Sequence, residues 1–319
     1  MDLIISRLNI IQRLPQKALK LFALTVVFVF YVFNSSAQTT APFSYTQYMN
    51  NLTPVNSAYS LIDQAGSFTG VIRKQFTGID GAPSTYLFDA SIPLPDMGAS
   101  TGFIVQNDQI AIEKQTEASF FFAKSIQLDD KNFLAVSANA GIRAYKANYL
   151  SIDDNNDPLF DSNVSETKAN LGFGVLLYSD TYYVGISMPE LTLRSLGTAS
   201  LQNNNYFKNH YYFAGAYIAE LSDDFKLKPS VLATYSSGSP VIADFAGLFY
   251  IKDVLGFGAS YTTNSQAAFI LDLNVGTIHI GYGYQFGTNS ANLGGYNNAT
   301  HEIMLSYRFG EGSSTPKIL

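Results

Sequence analysis

The sequence predicts an all-β fold: a transmembrane antiparallel β-barrel of about fourteen strands in a bacterial outer membrane. Hydrophobic residues alternate with period two from Ser67 to the last strand, the period of two-faced strands. After the N-terminal leader no run approaches the roughly 18 apolar residues that a membrane-spanning helix needs. The composition agrees, because 24 Gly, 21 Tyr and 24 Phe with only 14% charged residues suit a wall with one lipid-facing side.

The N-terminus has the features of a cleaved signal peptide at residues 1–37. Basic residues precede an apolar run of about thirteen residues, and small residues at 35–37 suit a cleavage site. A membrane anchor would need roughly 20 apolar residues. We therefore predict a signal peptide at 1–37, an N-terminal periplasmic or plug segment at 38–66, a barrel at 67–309 and a C-terminal tail at 310–319.

The alternating runs define the predicted strands, which lie at 67–76, 86–94, 100–107, 116–126, 133–145, 169–178, 181–188, 209–220, 226–236, 240–250, 255–262, 266–275, 276–287 and 300–309. Connections after even-numbered strands are brief, whereas those after odd-numbered strands include long ones at 146–168, 189–208 and 288–299. Outer-membrane barrels have short periplasmic turns and long outer loops. Two β-sandwiches would also alternate, but several runs have the roughly 9–11 residues with which a tilted strand crosses a bilayer.

Aromatic and glycine residues recur at particular places in these strands. Tyrosine and phenylalanine near strand ends are expected to form interfacial girdles: Tyr145, Tyr149, Tyr178, Tyr211, Tyr250, Tyr261, Phe286, Tyr307 and Phe309. Glycines occupy inward positions, among them Gly174, Gly185, Gly281 and Gly283, and suggest room in the lumen. That room could hold a plug such as the segment 38–65, or a partner's tail.

Four motifs follow one another along the chain: QYM at 47–49, NLTPVNSAY at 51–59, RKQFTGIDGAPST at 73–85 and HEIMLSYRF at 301–309. In this order they resemble the PorP/SprF-like membrane proteins of the Bacteroidota type IX secretion and gliding-motility systems. Two departures are mild. Phe76 stands where that family usually has Trp, and Ser57 stands where it usually has Pro.

The resemblance implies a non-enzymatic outer-membrane partner that helps a cargo to be secreted and anchored at the surface. The cargo would be an adhesin or enzyme with a type B C-terminal domain, with a link to gliding motility. A periplasmic OmpA-like protein and outer-membrane lipid are further expected contacts. The alternative is an outer-membrane diffusion channel or hydrophobic-solute transporter, which requires an open lumen.

The glycine-rich hairpin is the predicted partner-binding site, with the residues Arg73, Gln75, Phe76, Gly78, Gly81, Ala82 and Pro83. A purely structural turn explains the same residues equally well, because glycine adopts positive φ and proline fixes φ. Arg73 could instead form a charge pair inside the barrel, where buried charges are usually paired.

No catalytic, cofactor or metal site is predicted. The loop DDNND at 153–157 begins like a calcium loop, but Pro158 and Val164 break the EF-hand pattern, so calcium binding at 153–161 is left open. His210, His279 and His301 lack metal-ligand spacing, and His279 is predicted to be the only one on the lumen face.

Other chemistries have little support in the sequence. A membrane hydrolase would need a serine beside His279, for which Ser260 is a candidate. The absence of cysteine rules out a lipoprotein anchor, disulfides and thiolate sites. A net charge of −6 argues against a nucleic-acid partner.

Overall fold

A computed structural model describes residues 45–63, 65–151, 162–192, 207–288, 299–311, 313 and 318–319. The predicted signal peptide and the DDNND loop lie outside the described residues. Among the helices of the described part, none has the length and apolar character to cross a membrane. Short 3-10 turns lie at Ser57–Leu61, Pro95–Met97 and Tyr149–Ser151.

The described residues form one closed antiparallel sheet of these strands: β1 Gly66–Lys74, β2 Ser84–Leu94, β3 Ala99–Ile110, β4 Glu113–Gln127, β5 Phe133–Ala147, β6 Val164–Tyr178, β7 Tyr182–Thr192, β8 His210–Tyr217, β9 Ala219–Ser222, β10 Phe225–Ser236, β11 Ile242–Ile251, β12 Leu255–Thr262, β13 Gln266–Val275, β14 Ile278–Gly287 and β15 Thr300–Phe309. β8 and β9 are interrupted only at Ile218, and both pair with β10. They are therefore two parts of one strand. β1 pairs with β15 and β10 with β11, which closes the barrel and confirms the predicted fourteen strands.

Strand alternation gives the wall an apolar outer face and a mixed, largely polar inner face. In β1 the outward Phe68 and Ile72 are 42% and 49% exposed, whereas the inward Thr69, Val71 and Arg73 are buried. Successive side chains of a strand point to opposite faces, so the same alternation around the barrel produces an outer apolar belt. The core of the protein is the lumen.

The predicted aromatic girdles are only partly present. Tyr211, Tyr261 and Tyr307 point outward and are exposed. Tyr145 and Tyr250 are buried and point inward, and Tyr250 donates a hydrogen bond to the Asp272 carboxylate at 2.8 Å. The prediction was wrong for these inward residues because position near a strand end does not decide which face a side chain occupies. A buried phenol finds a hydrogen-bond partner inside.

The connections divide between two rims. Those after β1, β3, β5, β7, β10, β12 and β14 lie at one rim, which we call the long-loop rim. The turns after β2, β4, β6, β9, β11 and β13 lie at the other, the short-turn rim, together with the start of β1 and the end of β15.

Strands β4, β5 and β6 have 15 residues each and are longer than predicted. Apart from Gln127 of β4, their additional residues lie at the long-loop end. About 9–11 residues of a tilted strand suffice to cross a bilayer, so these three strands extend past the apolar belt at the long-loop rim.

Candidate functional site in the barrel lumen

The chain from Tyr45 to Asp63, which we call the lumen segment, lies against inward side chains from many sides of the wall. The Asn51 amide donates to Asp89 on β2 at 2.6 Å, and the Asn56 amide donates to backbone carbonyls of β6 and β7 at 3.2 and 3.3 Å. The Tyr48 hydroxyl donates to a carbonyl of β11 at 3.4 Å. Since these strands lie in different sectors of the barrel, the segment crosses the lumen.

Glu302 on β15 holds the beginning of the lumen segment. Its fully buried carboxylate accepts hydrogen bonds from the backbone N–H groups of Thr46 and Gln47 at 2.9 and 2.7 Å. It also pairs with the guanidinium of Arg73 on β1 at 2.9 Å, and Arg73 donates further to Gln285 on β14. One carboxylate therefore joins the segment to three adjacent strands. Arg73 thus forms the charge pair inside the barrel that was the alternative to a partner-binding role.

Two further wall charges contact the segment. The fully buried Lys228 on β10 donates to the Met49 carbonyl. Asp272 on β13 accepts from the Asn50 amide at 2.8 Å. Buried charges destabilise a protein unless they are hydrogen-bonded or paired. These wall residues and the lumen segment therefore stabilise each other.

Apolar and phenolic side chains complete the packing of the segment. Met49, Leu52 and Val55 are at most 1% exposed. Burial raises the pKa of the Tyr48 and Tyr59 phenols well above the ordinary value, so both remain neutral donors. The Tyr59 hydroxyl donates to the Leu319 carbonyl at 2.8 Å.

Inward glycines make the room that the lumen segment occupies. A Cβ on Gly281 would lie 2.7 Å from the Gln47 side-chain amide carbon, and one on Gly283 would lie 3.0 Å from the Thr46 Cβ. A Cβ on Gly174 would collide with Asn56. These glycines were the one sequence feature that indicated an occupied lumen.

We expect Gly174→Ala to lower the free energy of unfolding by about 1–3 kcal/mol, the usual cost of overpacking. The added methyl would lie 2.7 Å from the Ser137 hydroxyl and against Asn56, which is held by its bonds to β6 and β7. Urea titration of the refolded barrel in micelles measures the change. Gly70→Ala is the matched control, since a Cβ at that outward glycine meets nothing within 4 Å. Equal stabilities of the two variants would contradict the tight fit of Asn56.

A second charged group, the mouth network, lies in the lumen towards the long-loop rim. It consists of Arg143, Glu117, Glu190 and His210. The 1% exposed Arg143 side chain pairs with Glu117 and, at 3.1 Å, with Glu190, which His210 contacts at 2.9 Å. Arg143 also donates to the Lys208 carbonyl at 3.1 Å. The network thus ties β4 and β5 to the end of β7 and the start of β8.

Of the predicted partner-binding residues, one is buried and six lie in a loop whose tip is exposed. Arg73 is 4% exposed and faces the lumen. The remaining six lie in the loop 75–83, which we call the hairpin loop, at the long-loop rim. Its base is closed by a hydrogen bond from the Gln75 N–H to the Pro83 carbonyl at 2.9 Å.

The hairpin loop has an unusual backbone and is braced by its neighbours. Phe76, Gly78 and Gly81 have φ values of 47°, 97° and 73°, a region that favours glycine, so Phe76 is the strained member. The Ala111 N–H donates to the Gly81 carbonyl at 2.9 Å, and the Thr77 hydroxyl donates to a carbonyl of the 288–299 connection at 2.9 Å. The tip of the loop, residues 78–81, is therefore exposed, whereas its half-buried base is held in place.

The histidines do not form a catalytic or metal constellation in the described part of the chain. His279 faces the lumen with Nε2 3.6 Å from Asp272, whereas the Ser260 hydroxyl donates to Asp244 at 3.4 Å. His210 also faces the lumen, so the prediction that His279 alone does so was wrong. Within the residues that the structure describes, no group of three or more His, Cys, Asp or Glu could hold a metal ion.

A closed barrel with an apolar outer belt and a polar interior is the architecture of an outer-membrane β-barrel protein. This chain belongs to the PorP/SprF family of type IX secretion system membrane proteins, whose family model matches residues 37–307. It is therefore an outer-membrane component of type IX secretion.

The chain is similar to two solved structures that are named as an outer-membrane protein and a toluene transporter. Omp33 of Acinetobacter baumannii is 8% identical, with a TM-score of 0.45, and the match covers 78% of this chain and 99% of that chain. The toluene transporter TodX of Pseudomonas putida is 9% identical, with a TM-score of 0.47, covering 84% and 94% respectively. No curated protein matches the chain.

Proposed function

We propose that the protein is a non-enzymatic surface anchor and secretion partner for one type IX cargo, and that the cargo does not pass through this barrel's own lumen. The cargo is an adhesin or enzyme with a type B C-terminal domain, with a link to gliding motility. The observation that carries the proposal is the lumen segment, which is bonded to opposite sides of the wall through Glu302, Asp89 and Asn56. A barrel filled in this way offers its rims to partners.

The alternative of a diffusion channel or hydrophobic-solute transporter needs a continuous opening. Cavities of about 70 and 20 Å³ adjoin the lumen segment, room for a few water molecules. The larger is lined by polar groups such as Asn50, Ser91 and His279, which suit water better than a hydrophobic solute. These features favour the anchor over the transporter.

Three of the four motifs meet at one place in the lumen, which supports a shared role for them. Gln47 comes from the first motif, Arg73 from the hairpin motif and Glu302 from the closing motif. Their side chains or backbone groups share the single carboxylate of Glu302. The pattern that resembles the family therefore encodes the closure of the lumen, rather than a catalytic site.

The cargo contact in this proposal is the hairpin loop, through Gln75, Phe76, Gly78, Gly81, Ala82 and Pro83, with Arg73 supporting it from inside. At its tip Ile79 is 39% exposed and Asp80 is exposed. A braced loop loses little conformational entropy on binding, which favours affinity. A periplasmic OmpA-like partner would contact the short-turn rim.

Affinity capture of the tagged barrel from gently solubilised outer membranes, followed by mass spectrometry, tests the proposal. The wild type should retain a large surface protein with a C-terminal secretion domain. Ile79→Ser with Asp80→Asn should reduce its recovery about tenfold, the effect of losing about 1.4 kcal/mol of binding free energy.

The matched control is Leu128→Ser, an exposed apolar residue at the opposite rim, which should leave recovery unchanged. If the hairpin double variant captures as much cargo as the wild type, the hairpin loop is not part of the cargo contact. A wild-type barrel that is purified without any such protein would favour the channel instead.

A further inference from the structure

A row of outward residues crosses six strands at the long-loop end of the apolar belt. The strand registers place Lys74 beside Ser84, Ser84 beside Gln109, Gln109 beside Lys114, Lys114 beside Lys146, and Lys146 beside Ser165. We call these six residues the basic row. It contains three lysines and no acidic residue.

Lys114 and Lys146 are directly opposite each other on β4 and β5. Both are exposed, and directly opposite side chains of an antiparallel pair have Cβ atoms about 4.5–5.5 Å apart. Like charges in this arrangement destabilise a sheet. Neither lysine forms a salt bridge among the described residues, where the lysine pairs are Lys168 with Glu166 and Lys226 with Asp253.

The height of the basic row relative to the apolar belt indicates what neutralises it. Four residues further along each strand, the aligned outward residues are Phe88, Val105, Ala118 and Ile142. Four residues of a strand rise about 13 Å. The lysines therefore lie about 13 Å along the strands from these apolar residues, at the level of lipid headgroups, with hydroxyl and amide side chains beside them.

We propose that the basic row binds the phosphate of an anionic lipid headgroup, with Lys114 and Lys146 as the two principal ligands. A phosphate between the two ammonium groups accepts hydrogen bonds from both and removes their repulsion. Ser165 and Gln109 flank the pair and supply further donors. The site depends only on the wall, so it does not require the secretion role proposed above.

Native mass spectrometry of the full chain in phosphatidylcholine nanodiscs containing phosphatidylglycerol tests this site. The wild type should retain phosphatidylglycerol after release from the disc. Lys114→Gln with Lys146→Gln should weaken its binding about 25-fold, about fivefold for each lysine, and added salt should weaken wild-type binding. Lys124→Gln is the matched control, because it removes an exposed lysine of the same strand at the opposite rim.

Equal retention of phosphatidylglycerol by the double variant and the wild type would overturn the proposal. A second arm adds inorganic phosphate to the protein in lipid-free detergent and measures the unfolding midpoint. Stabilisation by phosphate equal to that by phosphatidylglycerol would assign the row to a free anion and overturn the lipid claim. Unchanged heat-modified electrophoretic mobility of the double variant verifies that it folds.

Discussion

Glu302→Gln is expected to lower the free energy of unfolding of the barrel by about 3–5 kcal/mol, the cost of breaking a buried ion pair by removing one partner. The substitution keeps the shape of the side chain and removes its charge. It leaves the buried guanidinium of Arg73 without its carboxylate and weakens the bonds to the Thr46 and Gln47 N–H groups. Both the wall and the start of the lumen segment are affected.

Two measurements on the Glu302→Gln variant distinguish the stability of the barrel from the retention of the lumen segment in the lumen. Urea titration in micelles gives the unfolding free energy, and limited chymotrypsin digestion reports whether the bonds after Tyr48 and Leu52 become accessible. Both sites are fully buried in the wild type and should be cut faster in the variant. Glu220→Gln, at an exposed carboxylate of β9, is the control. A variant with wild-type stability and protection would show that Glu302 does not hold the segment.

Arg143→Met should cause a loss of similar size, about 3–5 kcal/mol. Arg143 pairs with Glu117 and Glu190. Without it two carboxylates lie close together in the lumen, and among the described residues His210 is the remaining side chain that can form an ion pair with either of them. The network also joins β5 to the start of β8 through the Lys208 carbonyl. Urea titration measures the loss.

The compensated variant of the mouth network distinguishes charge from packing. Arg143→Met combined with Glu117→Gln and Glu190→Gln removes the uncompensated charges while keeping similar volumes. It should recover most of the lost stability, because replacing a whole buried ion cluster is often nearly neutral. No recovery in the triple variant would mean that Arg143 acts through its contacts and not its charge.

The strands could be predicted because each wall residue obeys a local rule. Ile303 and Leu305 alternate with Glu302 and Met304, and the sequence alone assigns them to opposite faces. The rule failed at the long-loop ends of β4 and β6, where residues 113–115 and 165–168 are polar on both faces. No apolar alternation marks a strand that has left the bilayer.

The lumen site could not be predicted in detail because its contacts are remote in sequence. Thr46 meets Glu302 across 256 residues, and no period or spacing encodes such a pairing. The inward glycines indicated free space in the lumen, but they did not identify the segment that fills it. Arg73 is an example, because the sequence alone allowed it to lie either in a surface hairpin or in a buried ion pair. The strand register places it directly opposite Glu302 on β15.

A reversible lock on the lumen segment tests the central claim most directly. The chain contains no cysteine, and a Cβ on Gly283 lies 3.0 Å from the Thr46 Cβ, within about 1 Å of the roughly 3.8 Å of a disulfide. Thr46→Cys with Gly283→Cys should therefore join the segment to β14 on oxidation. Cells carrying the single variants are the controls.

The measurement is the amount of cargo at the cell surface in cells whose only copy is the oxidised double variant, before and after a reductant is added. If the segment stays in the lumen throughout secretion, surface cargo will equal that of the single variants in both states. Loss of surface cargo in the oxidised state, with recovery on reduction, would show that the segment must move and that the lumen is part of the route.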